Sequence, residues 1–119
     1  MIYHDSTENI IVAHFAGALG LDETSDAMAQ IVAITAETGA NHVLADATDV
    51  TKTQGIGAIY GFVVKNTAKA RAASLRIAIV PSKATRSDYA FLETAARNRG
   101  WRIRLFETRD EAMTWLKNK

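Results

Sequence analysis

The chain has 119 residues, 48% of them hydrophobic, which suits one domain over residues 1–119 with a buried core. Fourteen basic side chains against thirteen acidic ones leave a formal charge of +1, so no global field favours nucleic acid or an anionic membrane. Cysteine is absent, which excludes disulfides and thiolate chemistry, and no apolar stretch reads as a signal peptide or a membrane span, so the expected compartment is the cytoplasm.

In chain order, "MIYHD" and "NIIVAHFAG" are two β-type runs split by "STE", a spacing that predicts an antiparallel hairpin, with a strand at Ile10–Ala16. "LDETSDAMAQIVAITAETG" predicts a helix: Asp22 can cap its start, Glu23 and Asp26 suit the positive end of its dipole, and Gly39 suits its stop. Its Ala27, Met28, Ile31, Ile34 and Thr35 share one face. "HVLAD" predicts a short interior strand, His42–Asp46, that ends in a turn. "GIGAIYGFVVKNT" places Ile56, Ile59, Tyr60 and Val63 at helical spacing.

"RIAIV", Arg76–Val80, is apolar without alternation and is closed by Pro81, as in a strand covered on both faces. "TRSDYAFLETAARNRG" predicts a helix with Thr85 and Asp88 as a capping box and Gly100 as its stop. "WRIRLFE" alternates, with Trp101, Ile103 and Leu105 on one side and Arg102 and Arg104 on the other, so a strand at Trp101–Phe106 lies near a sheet edge. "TRDEAMTWLKNK" opens with Thr108 and Glu111 at capping-box spacing and buries Ala112, Trp115 and Leu116. The order β-β-α-β-α-β-α-β-α predicts an α/β fold: a single mixed, largely parallel sheet with an N-terminal hairpin, right-handed crossovers and four helices.

The segment "TKTQGIG", Thr51–Gly57, is the most informative for function. A Walker-type loop needs its lysine after the glycines, and here Lys52 precedes them. Gly55, Gly57 and Gly61 carry one residue too many for a dinucleotide fingerprint, and they follow the third strand rather than the first. As a helix start the segment works in two registers. Thr51 is the N-cap with Gln54 at the third helical position, leaving the Thr53 hydroxyl free, or Thr53 is itself the cap. Either register points first-turn amides outward, where an anion or a partner can meet them. Gly57 and Gly61 either allow close packing on the sheet or keep a docking surface open.

Three stretches resemble the STAS family, the bacterial anti-sigma-factor antagonist fold, and more narrowly its subgroup similar to stage II sporulation protein AA. They are "IIVAHFAGALGLDE", "HVLADATDVTKTQGIGAIYGF", and "LRIAIV" followed by "WRIRLFETRDEAMTWL". The resemblance spans roughly residues 9–116 and implies a non-enzymatic regulatory domain, without a cofactor, that docks onto another protein or a second copy of itself. In regulatory members a serine in Asp-Ser-(Ser/Thr)-Gly-Leu-Gly is phosphorylated. Gly55-Ile56-Gly57 matches Gly-Leu-Gly, Thr53 falls at the phosphorylated position, and Lys52 stands where the aspartate is expected. The resemblance implies a switch or contact site at Thr51, Lys52, Thr53, Gln54, Gly55 and Gly57.

Other groups are weaker. Asp46 and Asp49, at the expected end of the third strand, hold a cation, act as an acid–base pair in an enzyme, or form the turn, and the turn is the favoured reading. Ser82, in the polar loop that runs to Arg86, is a further candidate anion contact. His4, His14 and His42 have no metal spacing, although His4 and His14 can face each other across the hairpin. Arg97, Arg99, Arg102 and Arg104 form one basic cluster, and Lys65, Lys69, Arg71 and Arg76 form another. Among their neighbours only Trp101 is aromatic, so nucleic-acid binding is not expected. The alternative function is a small-molecule or lipid-binding module of the same fold, with Tyr60, Phe62, Val63, Val64, Phe91 and Trp101 lining the site.

Overall fold

A computed structural model describes residues 1–118, Leu21 by its backbone alone. The elements run β1 (Ile2–Asp5), β2 (Ile10–Ala18), α1 (Leu21–Thr38), β3 (His42–Lys52), α2 (Ile56–Ala72), β4 (Arg76–Pro81), α3 (Arg86–Arg97), β5 (Arg102–Leu105) and α4 (Arg109–Lys117). They form one five-stranded sheet in the order β1-β2-β3-β4-β5. β1 is antiparallel to β2, and every later neighbour pair is parallel. The predicted element order and mixed sheet are therefore present, with β3 and β4 interior.

Two apolar layers sandwich the sheet. Met28 and Ile31 of α1, Val63 and Ala70 of α2, and Leu92 and Ala96 of α3 pack on one face. Ala112 and Leu116 of α4 pack on the other, against Ile10, Val12, Leu44, Ala78 and Val80. Covered on both sides, β4 buries Ile77 through Val80, as its unbroken apolar run requires. Each buried Ile or Val side chain contributes about 1.5–3 kcal/mol of transfer free energy.

The ends of the helices are set by local chemistry. Thr108 and Glu111 form the expected reciprocal capping box on α4. Gly39, at φ +77°, closes α1 and returns its N–H to Thr35. Asp22 is not the cap of α1. The cap is Gly20, whose N–H is accepted by Glu23 at 3.2 Å. The box expected between Thr85 and Asp88 does not form: Thr85 is the cap position of α3 but bonds Ser82, and Asp88 bonds elsewhere.

The largest departure from expectation is β3, which runs to Lys52 instead of turning after Asp46. Its last pair with β4 is Ala47↔Pro81, and beyond that it pairs only with β2. The pairing steps from His14↔Asp46 to Ala16↔Asp49, so β3 carries an extra residue there, and again from Gly17↔Val50 to Ala18↔Lys52. A strand with one bare edge and two bulges tolerates polar residues that would break an interior strand. Asp46 does fold back on its own backbone as aspartates do in turns, accepting the Thr48 N–H at 3.1 Å, but within the bulge.

Candidate functional site

Because β3 continues to Lys52, Thr51 lies in a strand and cannot cap α2, and its capping box with Gln54 is absent. Thr53 is not the cap either. The N-cap is Gly55, at φ +92° and ψ 170°, a region open only to glycine, and it offers α2 no side-chain cap. Thr53 is half-buried in the connection between β3 and α2. Its hydroxyl is not free: it donates to the Asp88 carboxylate of α3 and accepts the Gly55 N–H at 3.2 Å. Thr53 thus ties the start of α2 to the first turn of α3. The Asp88 charge, after burial, is the second cause that pushes the neighbouring Tyr89 phenol up to about 12.

Beyond the loop, α2 carries two apolar stripes. Ile59, Val63 and Ala70 face inward with the buried Asn66, whose amide donates to the Phe62 carbonyl at 2.9 Å. Ile56, Tyr60 and Val64 face outward and are 53%, 47% and 46% exposed. Gly57 and Gly61 flank the outer stripe, and a Cβ built on either meets nothing within 4 Å. They therefore do not serve close packing on the sheet; they keep the outer face of the helix low. Arg99 leans over Tyr60 and donates to its hydroxyl at 3.0 Å. Lys52, Lys65, Lys69 and Arg71 are exposed along the same segment, and α2 contains no acidic residue.

The remaining candidates have separate partners. Asp46 meets Arg109 at 3.4 Å, and Asp49 meets His14 at 2.9 Å. Among the described residues no group of three His, Cys, Asp or Glu could hold a metal. His4 pairs with Ile11 rather than facing His14, and its ring bonds Asn9 at 3.0 Å. Ser82 donates to the Val50 carbonyl at 2.7 Å and bonds Thr85 at 2.8 Å, bracing the outer end of β3 to the start of α3.

Of the aromatic and apolar residues considered for a ligand site, Phe62 and Trp101 line an apolar cavity of about 70 Å³ between the sheet and α1–α3. Tyr60 and Val64 are on the surface, Val63 is fully packed, and Phe91 packs against the core without reaching the cavity. No helix among the described residues is long and apolar enough to cross a membrane.

Asp88 escaped sequence reasoning because its spacing from Thr85 already explained it, and a contact 35 residues away leaves no local signal. The sequence groups Ile56, Ile59, Tyr60 and Val63 at helical spacing; the structure divides them, turning Ile59 and Val63 inward and Ile56 and Tyr60 outward beside Val64. A helix apolar on two sides is a helix that expects two coverings.

No family model matches the chain, and no curated protein matches it. Among solved structures it is similar to the anti-sigma factor antagonist SpoIIAA in its unphosphorylated form, with a TM-score of 0.63 and 15% identity, over 100% of this chain and 98% of that one. At that identity the likeness is one of fold: the chain has the α/β architecture of an anti-sigma-factor antagonist, the STAS fold, over its whole length.

Proposed function

We propose that this chain is a non-catalytic, regulatory protein-binding domain whose docking face is the Thr51–Gly57 segment together with the outer side of α2. The observation that carries this reading is the exposed stripe Ile56, Tyr60 and Val64 on a helix whose opposite side already fills the core. Water leaves such a stripe at a gain of about 25 cal/mol per Å², and only a partner can cover it. Its likeness in fold to an anti-sigma factor antagonist supports a regulatory role. Lys52, Lys65, Lys69, Arg71 and Arg99 around the stripe favour a partner with an apolar centre and an acidic rim. Thr53, beneath the edge of this face, is the position where an added charge would act on docking.

Affinity capture tests this with the full chain, a variant carrying Ile56→Asp and Tyr60→Asp, and a control carrying Glu37→Lys at the exposed end of α1. The expected result is a protein retained by the wild type and the control and lost from the double variant, which should keep its fold. Equal retention by all three would refute the docking face.

A further inference from the structure

We propose that β1 is an interface at which two copies of this chain join their sheets edge to edge. The Met1 ammonium donates to the His14 carbonyl at 2.9 Å, and the Met1 carbonyl accepts the His14 N–H at 2.8 Å. Bonded pairs alternate along an antiparallel ladder, so Tyr3 and Asp5 also bond inward, to Val12 and Ile10. The N–H and carbonyl groups of Ile2 and His4 therefore point out of the sheet edge, where no described residue bonds them. The other bare edges are guarded. Glu93 of α3 accepts the Leu105 N–H on β5 at 2.7 Å, and Ser82 donates to the Val50 carbonyl at 2.7 Å where β3 has run past β4. Sheets protect their edges with such side chains, or with lysine, proline or a bulge, and Ile2–Asp5 has none of these.

Symmetry selects a second copy as the occupant. With a two-fold axis at Tyr3, Ile2 of one copy lies opposite His4 of the other, and every outward group of both residues is bonded. An axis at Ile2 or His4 loses one of these pairs, because the opposite position then falls outside β1. At the axis the two Tyr3 side chains form a non-bonded pair, with Cα atoms about 4.5 Å apart. Tyr3 is 43% exposed and Met1 80%, so the paired rings cover apolar surface that one copy leaves in water. Asp5 falls opposite Met1, so no like charges of the two strands' side chains oppose each other. Because the other edges are guarded, the pairing closes at two copies and does not run on into a filament. α1 packs on both β1 and α2 and separates them, so this interface leaves the outer stripe of α2 free and stands apart from the docking reading.

The chain has no cysteine, so a single Tyr3→Cys reports the pairing, the Cα spacing across the axis being that of a disulfide. Under mild oxidation Tyr3→Cys is expected to give a disulfide-linked dimer, and Arg104→Cys on β5 to remain a monomer. Sedimentation equilibrium of the full chain is expected to show reversible dimers as its concentration rises to about 1 mM, since so small an interface is weak. Tyr3→Lys sets like charges opposite each other, and His4→Pro removes an outward N–H that the monomer does not use. Each should weaken the dimer about tenfold or more while circular dichroism stays that of the wild type. Should either fail to fold, the Tyr3→Cys crosslink still decides. A wild type that stays monomeric throughout, equal crosslinking of the two cysteine variants, or a dimer that Ile56→Asp breaks and Tyr3→Lys does not would each overturn the proposal.

Discussion

At the scale of single residues, the contact between Thr53 and Asp88 changes what a charge at position 53 should do. A hydroxyl free in the first helical turn would accept a carboxylate without strain, but the observed hydroxyl already serves one. Thr53→Glu therefore places two carboxylates together in a half-buried site and is expected to lower the melting temperature by about 3–6 °C. Adding Asp88→Asn should recover at least half of the loss, and the coupling can be read from a double-mutant cycle in thermal unfolding. Purely additive effects would show that the two side chains do not interact in solution. A phosphoryl group on Thr53 would meet the same carboxylate, so modification there would loosen α2 from α3 as well as charge the proposed docking face.

His42 is the other residue with a signature that can be measured. Burial first, then the Arg76 and Arg102 guanidinium groups, pull its imidazole below the ordinary 6.5, although the Leu116 backbone contact opposes this. The folded form thus binds protons less readily than the unfolded chain. Its contribution to stability is complete above about pH 6.5 and falls as acid titrates the unfolded form first. Urea unfolding should show stability declining as the pH falls below about 6.5, and His42→Gln should flatten that arm. A profile unchanged by the substitution would assign the slope to other groups.

At the scale of elements, two glycines of α2 and its cap have opposite roles. Gly55 holds a backbone conformation that an L side chain reaches only at about 1–3 kcal/mol, so Gly55→Ala should destabilise by that amount. Gly61 lies in the interior of α2 with open space around it, so Gly61→Ala should stabilise by up to about 1 kcal/mol. Thermal unfolding of both variants checks the pair, and a stabilised Gly55→Ala would mean that α2 begins elsewhere. The same region shows why β3 was read too short. Asp46, Thr48, Asp49 and Thr51 have turn chemistry, and nothing in the local pattern says that the strand beside them has lost one neighbour and gained two bulges. By contrast, "RIAIV" and "WRIRLFE" were legible because burial on both faces and burial on one leave different periodicities.

At the scale of the whole molecule, the order of elements and the mixed sheet followed from the chain, because each predicted strand and helix answers to its own run of residues. The candidate site could be read from the sequence as a segment but not as a geometry. The segment Thr51–Gly57 was singled out, but its helix register depended on where β3 ends, and its link to α3 depended on the sheet bringing two distant turns together. With α1, α2 and α3 filling one face and α4 the other, the outer stripe of α2 is an apolar surface the fold leaves exposed, as it does Met1 and Tyr3 at the hairpin.

The central claim is that another protein covers that stripe. A photoreactive phenylalanine analogue at position 60, in place of Tyr60, tests it most directly in the source cells, with the same analogue at position 37 on α1 as the control. The account predicts a crosslinked adduct to another protein from position 60 and none from position 37. Adducts from position 37 with none from position 60 would contradict it.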